Sequence, residues 1–328
     1  MTESLRWGIL ATGGIARLFV NDLKLNGFDV RAVGSRNEAS AARFAEEFGI
    51  PRVHGSYESL VADPEVDVVY VATPHPMHAA NATLALEAGK HVLVEKAFTL
   101  NAREARQIAE VAEARGLVAL EAMWTRYLPH MVRIRELVAA GAIGEPRTLI
   151  ADHTQLLPED PAHRLNALEL GGGALLDLGI YPISFAWDLF GAPATVSSSA
   201  TFKPTGADAQ VATIFTYGDG RIASTLSASN TRGPNTAMVL GTEARIEIDP
   251  IWYAPTTFRL VRPDGEVVEE YVSEVNGRGM HYQAAALERL VADGRTDGGD
   301  ILPTRQSVAI METLDLIREQ IGLRYPGE

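Results

Sequence analysis

The chain has 328 residues, 46% hydrophobic and 22% charged, with no cysteine and a formal net charge of −13. That length allows two domains and a sizeable core. The absence of cysteine excludes disulfides, thiolate metal sites and cysteine nucleophiles. The acidic balance argues against a nucleic-acid partner, and no apolar run approaches the roughly 20 residues of a membrane span. Met1-Thr2-Glu3-Ser4 has no basic, then apolar, leader pattern, so a cytoplasmic location is expected.

Leu5–Leu10 reads as a buried strand, Ala11-Thr12-Gly13-Gly14 as a tight turn, and Ile15 onward as a helix. Strand, glycine turn and helix together present backbone N–H groups to a pyrophosphate. The pattern is an imperfect G-x-G-x-x-G/A, with Ala11 at the first glycine. By itself it also fits a strand–helix turn of any α/β domain. Asp29–Gly34 is the second strand, followed by Ser35-Arg36-Asn37. An NAD enzyme usually has an acid about 20 residues past the glycines. A hydroxyl and a guanidinium suit a 2′-phosphate instead, so NADP(H) is expected and NAD is disfavoured.

Helices are expected at 38–48, 56–61 and 79–88, and a short strand at 49–53. The unbroken apolar run Val66–Ala72 marks a central parallel strand. It ends in Thr73-Pro74-His75-Pro76-Met77-His78, where a ligand crevice forms in such sheets. His75 and His78 either cap the next helix and flank a cofactor or begin a metal site; no third ligand stands nearby, so no metal is expected. A strand at 89–96 ends in the buried charged pair Glu95-Lys96, which is costly unless paired or functional. Helix Asn101–Arg115 and strand Leu117–Glu121 complete about six strands alternating with helices, a doubly wound parallel sheet.

Beyond it, β-prone runs start at Pro146, Thr195, Gln210, Arg221, Glu243, Phe258 and Val267, with hairpin turns between several of them. They predict an α+β domain with a large, mostly antiparallel open sheet. Gly171-Gly172-Gly173 precedes a helical stretch in which Asp177 and Tyr181, four apart, share a face, with Pro182 limiting or kinking it. Such a pair serves proton transfer or is a structural hydrogen-bonded pair. The boundary is placed between 1–122 and 123–328, with helix 304–321 packing back on the first domain.

Trp7–Ala16, Ala72-Thr73-Pro74, His91–Lys96 and Trp124–Pro129 together resemble the Gfo/Idh/MocA oxidoreductase family. The family's usual Glu-Lys-Pro is here Glu95-Lys96-Ala97, which removes the proline that stiffens the lysine turn. The resemblance implies that Lys96 lies by the nicotinamide and the reacting oxygen. Tyr181 within its glycine-led segment, and Trp124-Thr125-Arg126, resemble the subgroup of dimeric dihydrodiol dehydrogenases and NADP-dependent xylose dehydrogenases. It further implies a cofactor-contacting role for Arg164, a homodimer or homotetramer formed through the open sheet, and a small sugar, polyol or vicinal diol as substrate. In this reading Tyr181 takes the hydroxyl proton, Lys96 lowers the phenol pKa from its ordinary value near ~10, and Asp177 orients the pair. The remaining expected cofactor contacts are Ala11, Thr12, Gly13, Gly14, Ile15, Ser35, Arg36, Asn37, Thr73, Pro74, His75, His78, Glu95, Trp124 and Arg126. A non-enzymatic NADP(H) sensor, or an oxidoreductase that keeps its cofactor and shuttles hydride between sugars, is the alternative.

Overall fold

The computed structural model describes residues 4–328. Two compact units are present: the chain up to Tyr127 with Asn276–Met311, and Leu128–Val275 with Glu312–Glu328.

The first unit alternates strands and helices: β1 (Arg6–Leu10), α1 (Gly14–Leu25), β2 (Asp29–Gly34), α2 (Glu38–Phe48), β3 (Arg52–His54) and α3 (Tyr57–Val61). It continues with β4 (Val68–Val71), α4 (His78–Glu87), β5 (His91–Glu95), α5 (Ala102–Arg115) and β6 (Ala119–Ala122). The six strands are parallel in the order β3-β2-β1-β4-β5-β6. Every residue of β4 is buried, as its unbroken apolar run requires. The order reverses between β1 and β4, so ligand-binding loops converge past the carboxyl ends of these strands. Phe19 of α1 stacks on Tyr70 of β4 at 3.9 Å between ring centroids, with Trp7 edge-on at 5.6 Å, and fixes the helix to the sheet.

The second unit contains α6 (Pro129–Ala139), β7 (Pro146–Thr154), α7 (Ile180–Phe190) and β8 (Thr195–Phe202). Then come β9 (Asp208–Thr216), β10 (Ile222–Ala228), β11 (Ala237–Gly241), β12 (Arg245–Ile248), β13 (Phe258–Val261) and β14 (Val267–Tyr271). The eight strands run β14-β13-β12-β11-β7-β10-β9-β8, and all neighbours are antiparallel except β7 and β10. That parallel pair follows from the connection: the chain leaves β7, forms α7 and the β8–β9 hairpin, and returns beside its own start. Leu149, Phe215, Ala223 and Val239 line up in register on the face covered by α7. On the opposite face Ile150, Ile214, Ile222 and Leu226 are 41–50% exposed.

Leu175–Gly179 forms a wide π-type turn that runs directly into α7. Pro182 has no N–H to return to Leu178, and the ladder widens just before it. The turn begins on Asp208, whose Oδ2 accepts the Leu175 N–H at 2.6 Å. Gly173, at φ 138°, makes this possible: a Cβ there would lie 1.9 Å from Asp208 Oδ1. Burial pushes the Asp208 carboxyl up to about 6.

Two further helices close the chain, α8 (His281–Ala292) and α9 (Thr304–Ile321). Within the first unit, Asp22 of α1 accepts the N–H groups of Arg278 and Met280 and fixes the approach to α8. Thr304, at the start of α9, donates to Ala119 O of β6 at 2.8 Å.

Ala11 stands where the glycine pattern is broken, and its φ is 89°. Its N–H bonds Gly34 O at 2.9 Å, so the backbone turns here as a glycine would while carrying a Cβ. Ala11→Gly is expected to raise the unfolding free energy by about 1 kcal/mol by relieving that conformation. Chemical denaturation measures it; an unchanged or lower value would show that Ala11 bears no strain.

Candidate functional site

The turn after β1 is open. Gly13 and Gly14 are exposed, and a Cβ built on either meets nothing within 4 Å. Thr12 and Ile15 flank them half-buried. Gly13 caps α1 with no side-chain hydrogen bond, and no acid lies in the first turn. Asn37, Ser56 and Asn101 cap α2, α3 and α5 by accepting the N–H groups of Ser40, Ser59 and Glu104, whereas α4, entered through a 3-10 turn, has no side-chain cap either. An uncapped N-terminus with free space before it suits a pyrophosphate.

At the end of β2, Ser35 is buried and its Oγ accepts the Asn37 N–H at 3.2 Å. Asn37 spends its side chain on the cap of α2. Arg36 is exposed and carries no hydrogen bond or ion pair among the described residues. Arg17, one turn into α1, is instead paired with Glu47. With no acid at the strand end, these residues fit an adenosine ribose bearing a 2′-phosphate.

Past β4 and β5 the sequence-predicted residues meet. Thr73 is buried and its hydroxyl accepts from Asn81 at 3.2 Å. Pro74 opens a short 3-10 turn, His75–Met77, that leads into α4. Glu95 accepts the Tyr70 hydroxyl on one oxygen and the Lys96 N–H, at 3.2 Å, on the other. His75 Nε2 lies 3.2 Å from Lys96 O, and His78 Nδ1 3.0 Å from Ala97 O. The Phe98 N–H donates to Glu121 Oε1 at 3.1 Å. The Lys96–Ala97 peptide bond is cis. Four side chains thus meet successive backbone groups of the turn that presents Lys96: Glu95 and Glu121 accept N–H groups, and His75 and His78 face carbonyl oxygens. His78 Nε2 also lies 2.7 Å from Thr73 O. A neutral imidazole has one N–H for these two carbonyls, and burial pulls His78 down to about 4, which keeps it neutral near pH 7.

Trp124 and Arg126 lie in a buried 3-10 turn after β6. The Arg278 guanidinium stands 5.6 Å from the Trp124 ring centroid. Arg126 is 1% exposed and donates to Gln306. Its charge therefore sits inside the unit. Among the described residues, no cluster of three or more histidines and carboxylates is placed to hold a metal.

In the second unit Tyr181 is buried and Asp177 half-buried, within one helical turn of each other on the π segment and the start of α7. Arg164, from the preceding loop, reaches Asp177 Oδ1 at 3.5 Å and is itself half in solvent. Two residues outside the sequence-predicted set complete this group. His153, ending β7, packs edge-on to Tyr181 at 4.8 Å and stacks on Tyr253 at 3.8 Å; Tyr181 and Tyr253 are 5.4 Å apart. Gln155 Nε2 is 2.9 Å from His153 Nε2. Burial, and then the neighbouring Tyr181, raise the Tyr253 phenol. The only sequence signals were a histidine at a strand end and an aromatic pair, Trp252-Tyr253, inside a turn-rich segment.

Residues 5–122 match the family model for the oxidoreductase family with an NAD-binding Rossmann fold, and residues 131–247 match the GFO/IDH/MocA C-terminal domain. The D-xylose 1-dehydrogenase (NADP(+)) of Hypocrea jecorina is 37% identical, over 98% of this chain and 93% of that protein. The trans-1,2-dihydrobenzene-1,2-diol dehydrogenase of Mus musculus is 35% identical, over 99% of each. KijD10, a 3-ketoreductase from Actinomadura kijaniata whose structure holds NADP and TDP-benzene, superimposes with a TM-score of 0.86 at 26% identity, covering 97% of this chain and 98% of its own. The chain belongs to the Gfo/Idh/MocA family of oxidoreductases.

Proposed function

We propose that the protein is an NADP-dependent dehydrogenase moving a hydride between the cofactor and a hydroxyl-bearing or carbonyl carbon of a sugar, polyol or vicinal diol. The observation that carries this is Lys96, held on a turn whose backbone groups are engaged, in a chain related to xylose and dihydrodiol dehydrogenases. What NADP supplies when bound is hydride exchange at its nicotinamide. The protein's own residues bind and move protons. The start of α1 takes the pyrophosphate, and Ser35 and Arg36 take the 2′-phosphate. Lys96 stabilises alkoxide character on the reacting oxygen. Tyr181 exchanges the hydroxyl proton, and Asp177 orients it or binds a substrate hydroxyl. A sensor that only binds the cofactor would need neither Lys96 nor Tyr181.

The face bearing Ile150, Ile214, Ile222 and Leu226 supports association of two copies through the open sheet. Several large apolar side chains half in solvent on one sheet face favour its being covered. The absence of cysteine agrees with a cytoplasmic protein, and no helix among the described residues is long and apolar enough to cross a membrane.

Reduction of NADP and NAD is compared first, against pentoses, hexoses, inositols and trans-dihydrodiols. Turnover with NADP on one of these classes is expected. Turnover with NAD alone would overturn the cofactor assignment, and cofactor binding without any turnover would favour the sensor. Arg36→Ala should weaken NADPH binding by about tenfold or more, the worth of a charged hydrogen bond, and leave NADH nearly unchanged. Equal losses would remove Arg36 from phosphate recognition. Lys96→Met and Tyr181→Phe should each lower kcat by roughly 100-fold or more while NADPH still binds. Near-normal turnover would acquit the residue concerned. Sedimentation should show a dimer or tetramer, and Ile214→Asp with Leu226→Asp a monomer; an unchanged mass for the double variant would place the interface elsewhere.

A further inference from the structure

Glu121 is 2% exposed and stands opposite Val94 on β6, beside the strand that ends in Glu95. No catalytic or cofactor-binding role has been assigned to it above. Yet its Oε1 accepts the Phe98 N–H, the last backbone group of the lysine turn. The groups facing it come from four places. Glu95 on β5 raises its pKa, while Ser307 on α9, Arg126 in the turn after β6 and the Phe98 N–H lower it; burial outweighs them and brings the carboxyl to about 7. Arg126 is engaged with Gln306. The Ser307 hydroxyl, 1% exposed, faces this carboxyl but has no hydrogen-bond partner of ordinary geometry among the described residues.

Burial and the neighbouring Glu95 favour the protonated carboxyl over the ion that Ser307, Arg126 and the Phe98 N–H favour. One oxygen accepts from Phe98 and the other carries a proton that Ser307 can accept. A carboxylate would place a charge next to a second buried acid, Glu95, which grips the opposite end of the same turn at the Lys96 N–H. Two like charges would then repel each other inside the unit.

We propose that Glu121 is a positioning residue for the dehydrogenase reaction: in its neutral form it fixes the Lys96–Phe98 turn from beneath and thereby sets the place of Lys96. This rests on the proposed role of Lys96. It extends that role to a residue that does not itself reach substrate or cofactor.

Glu121→Gln keeps an acceptor for Phe98 and a donor for Ser307, whereas Glu121→Leu keeps neither. Amide hydrogen exchange at Phe98 should be protected in the wild type and in Glu121→Gln and roughly tenfold or more faster in Glu121→Leu. This readout needs no turnover. Glu121→Leu should lower kcat about tenfold or more with NADPH affinity unchanged, and should add no further loss in a Lys96→Met background. The ratio of wild-type kcat to that of Glu121→Gln should be constant below about pH 6 and fall as pH rises through the carboxyl pKa. Unaltered exchange, a full additional loss on top of Lys96→Met, or a pH-independent ratio would each overturn the proposal. If Glu121→Leu does not fold, the pH dependence of the Glu121→Gln ratio decides. If Lys96→Met turns over normally, the role of Lys96 fails on its own, and exchange at Phe98 still reports whether Glu121 holds the turn.

Discussion

A parallel strand buried on both faces must find partners for every polar group at its carboxyl end, out of reach of water. In the nucleotide-binding unit this requirement falls hardest on β5 and β6, which end in Glu95, Lys96 and Glu121. Leaving one buried donor unpaired costs about 1–3 kcal/mol, so the arrangement of partners there is strongly constrained. Tyr70 serves Glu95, Glu95 serves Lys96, and Glu121 serves Phe98. Asp208 does the same work in the other unit. It receives the Leu175 N–H at the start of the segment that carries Asp177 and Tyr181. In each unit a buried carboxyl with a raised pKa anchors the backbone just before or after a candidate reactive side chain.

The N-terminus of α1 follows the opposite rule. A side-chain cap stabilises a helix by about 1 kcal/mol, and α2, α3 and α5 each have one, while α4 lacks one but continues a 3-10 turn. The start of α1 has none, and it has no acid to offset its dipole. Unsatisfied N–H groups in open space are an inefficiency for an empty fold and an asset for a phosphate ligand. At the next strand Arg36 is a surface arginine with no hydrogen bond or ion pair among the described residues, whereas Arg17 of α1 is held by Glu47.

Much of this was legible in the sequence because it is local. Apolar runs gave β4 and β5, Gly49 and Gly116 stop their helices in left-handed conformation, and the strand-end position of Lys96 follows from counting along β5. What was not legible depends on residues distant in the chain. The parallel pairing of β7 with β10 leaves no mark on alternation, since either orientation buries the same residues. His153 and Tyr253 flank Tyr181 because β7 and the loop after β12 meet beside α7. Glu121 read as the last residue of an apolar strand, and only the fold shows that its carboxyl reaches a turn on the neighbouring one. The π turn at Leu175–Gly179 was likewise hidden: in it residues four apart still fall within one turn, so the Asp177–Tyr181 spacing fits it as well as an α-helix.

Ala97 brings these points together. A proline stiffens a turn through its own ring, and that stiffness is indifferent to the surroundings. An alanine supplies none, so the hold on Lys96 must come from outside. It comes from His75 just before α4, His78 at its first position, Glu95 on β5 and Glu121 on β6. Such a hold is distributed. The lysine turn is then coupled to the packing of α4 and to the register of β5 against β6. A change in any of these elements reaches the turn by a hydrogen bond that must lengthen or break. With alanine rather than proline in the turn, the place of Lys96 is set from the interior of the unit, where the buried Glu121 holds one end of the turn.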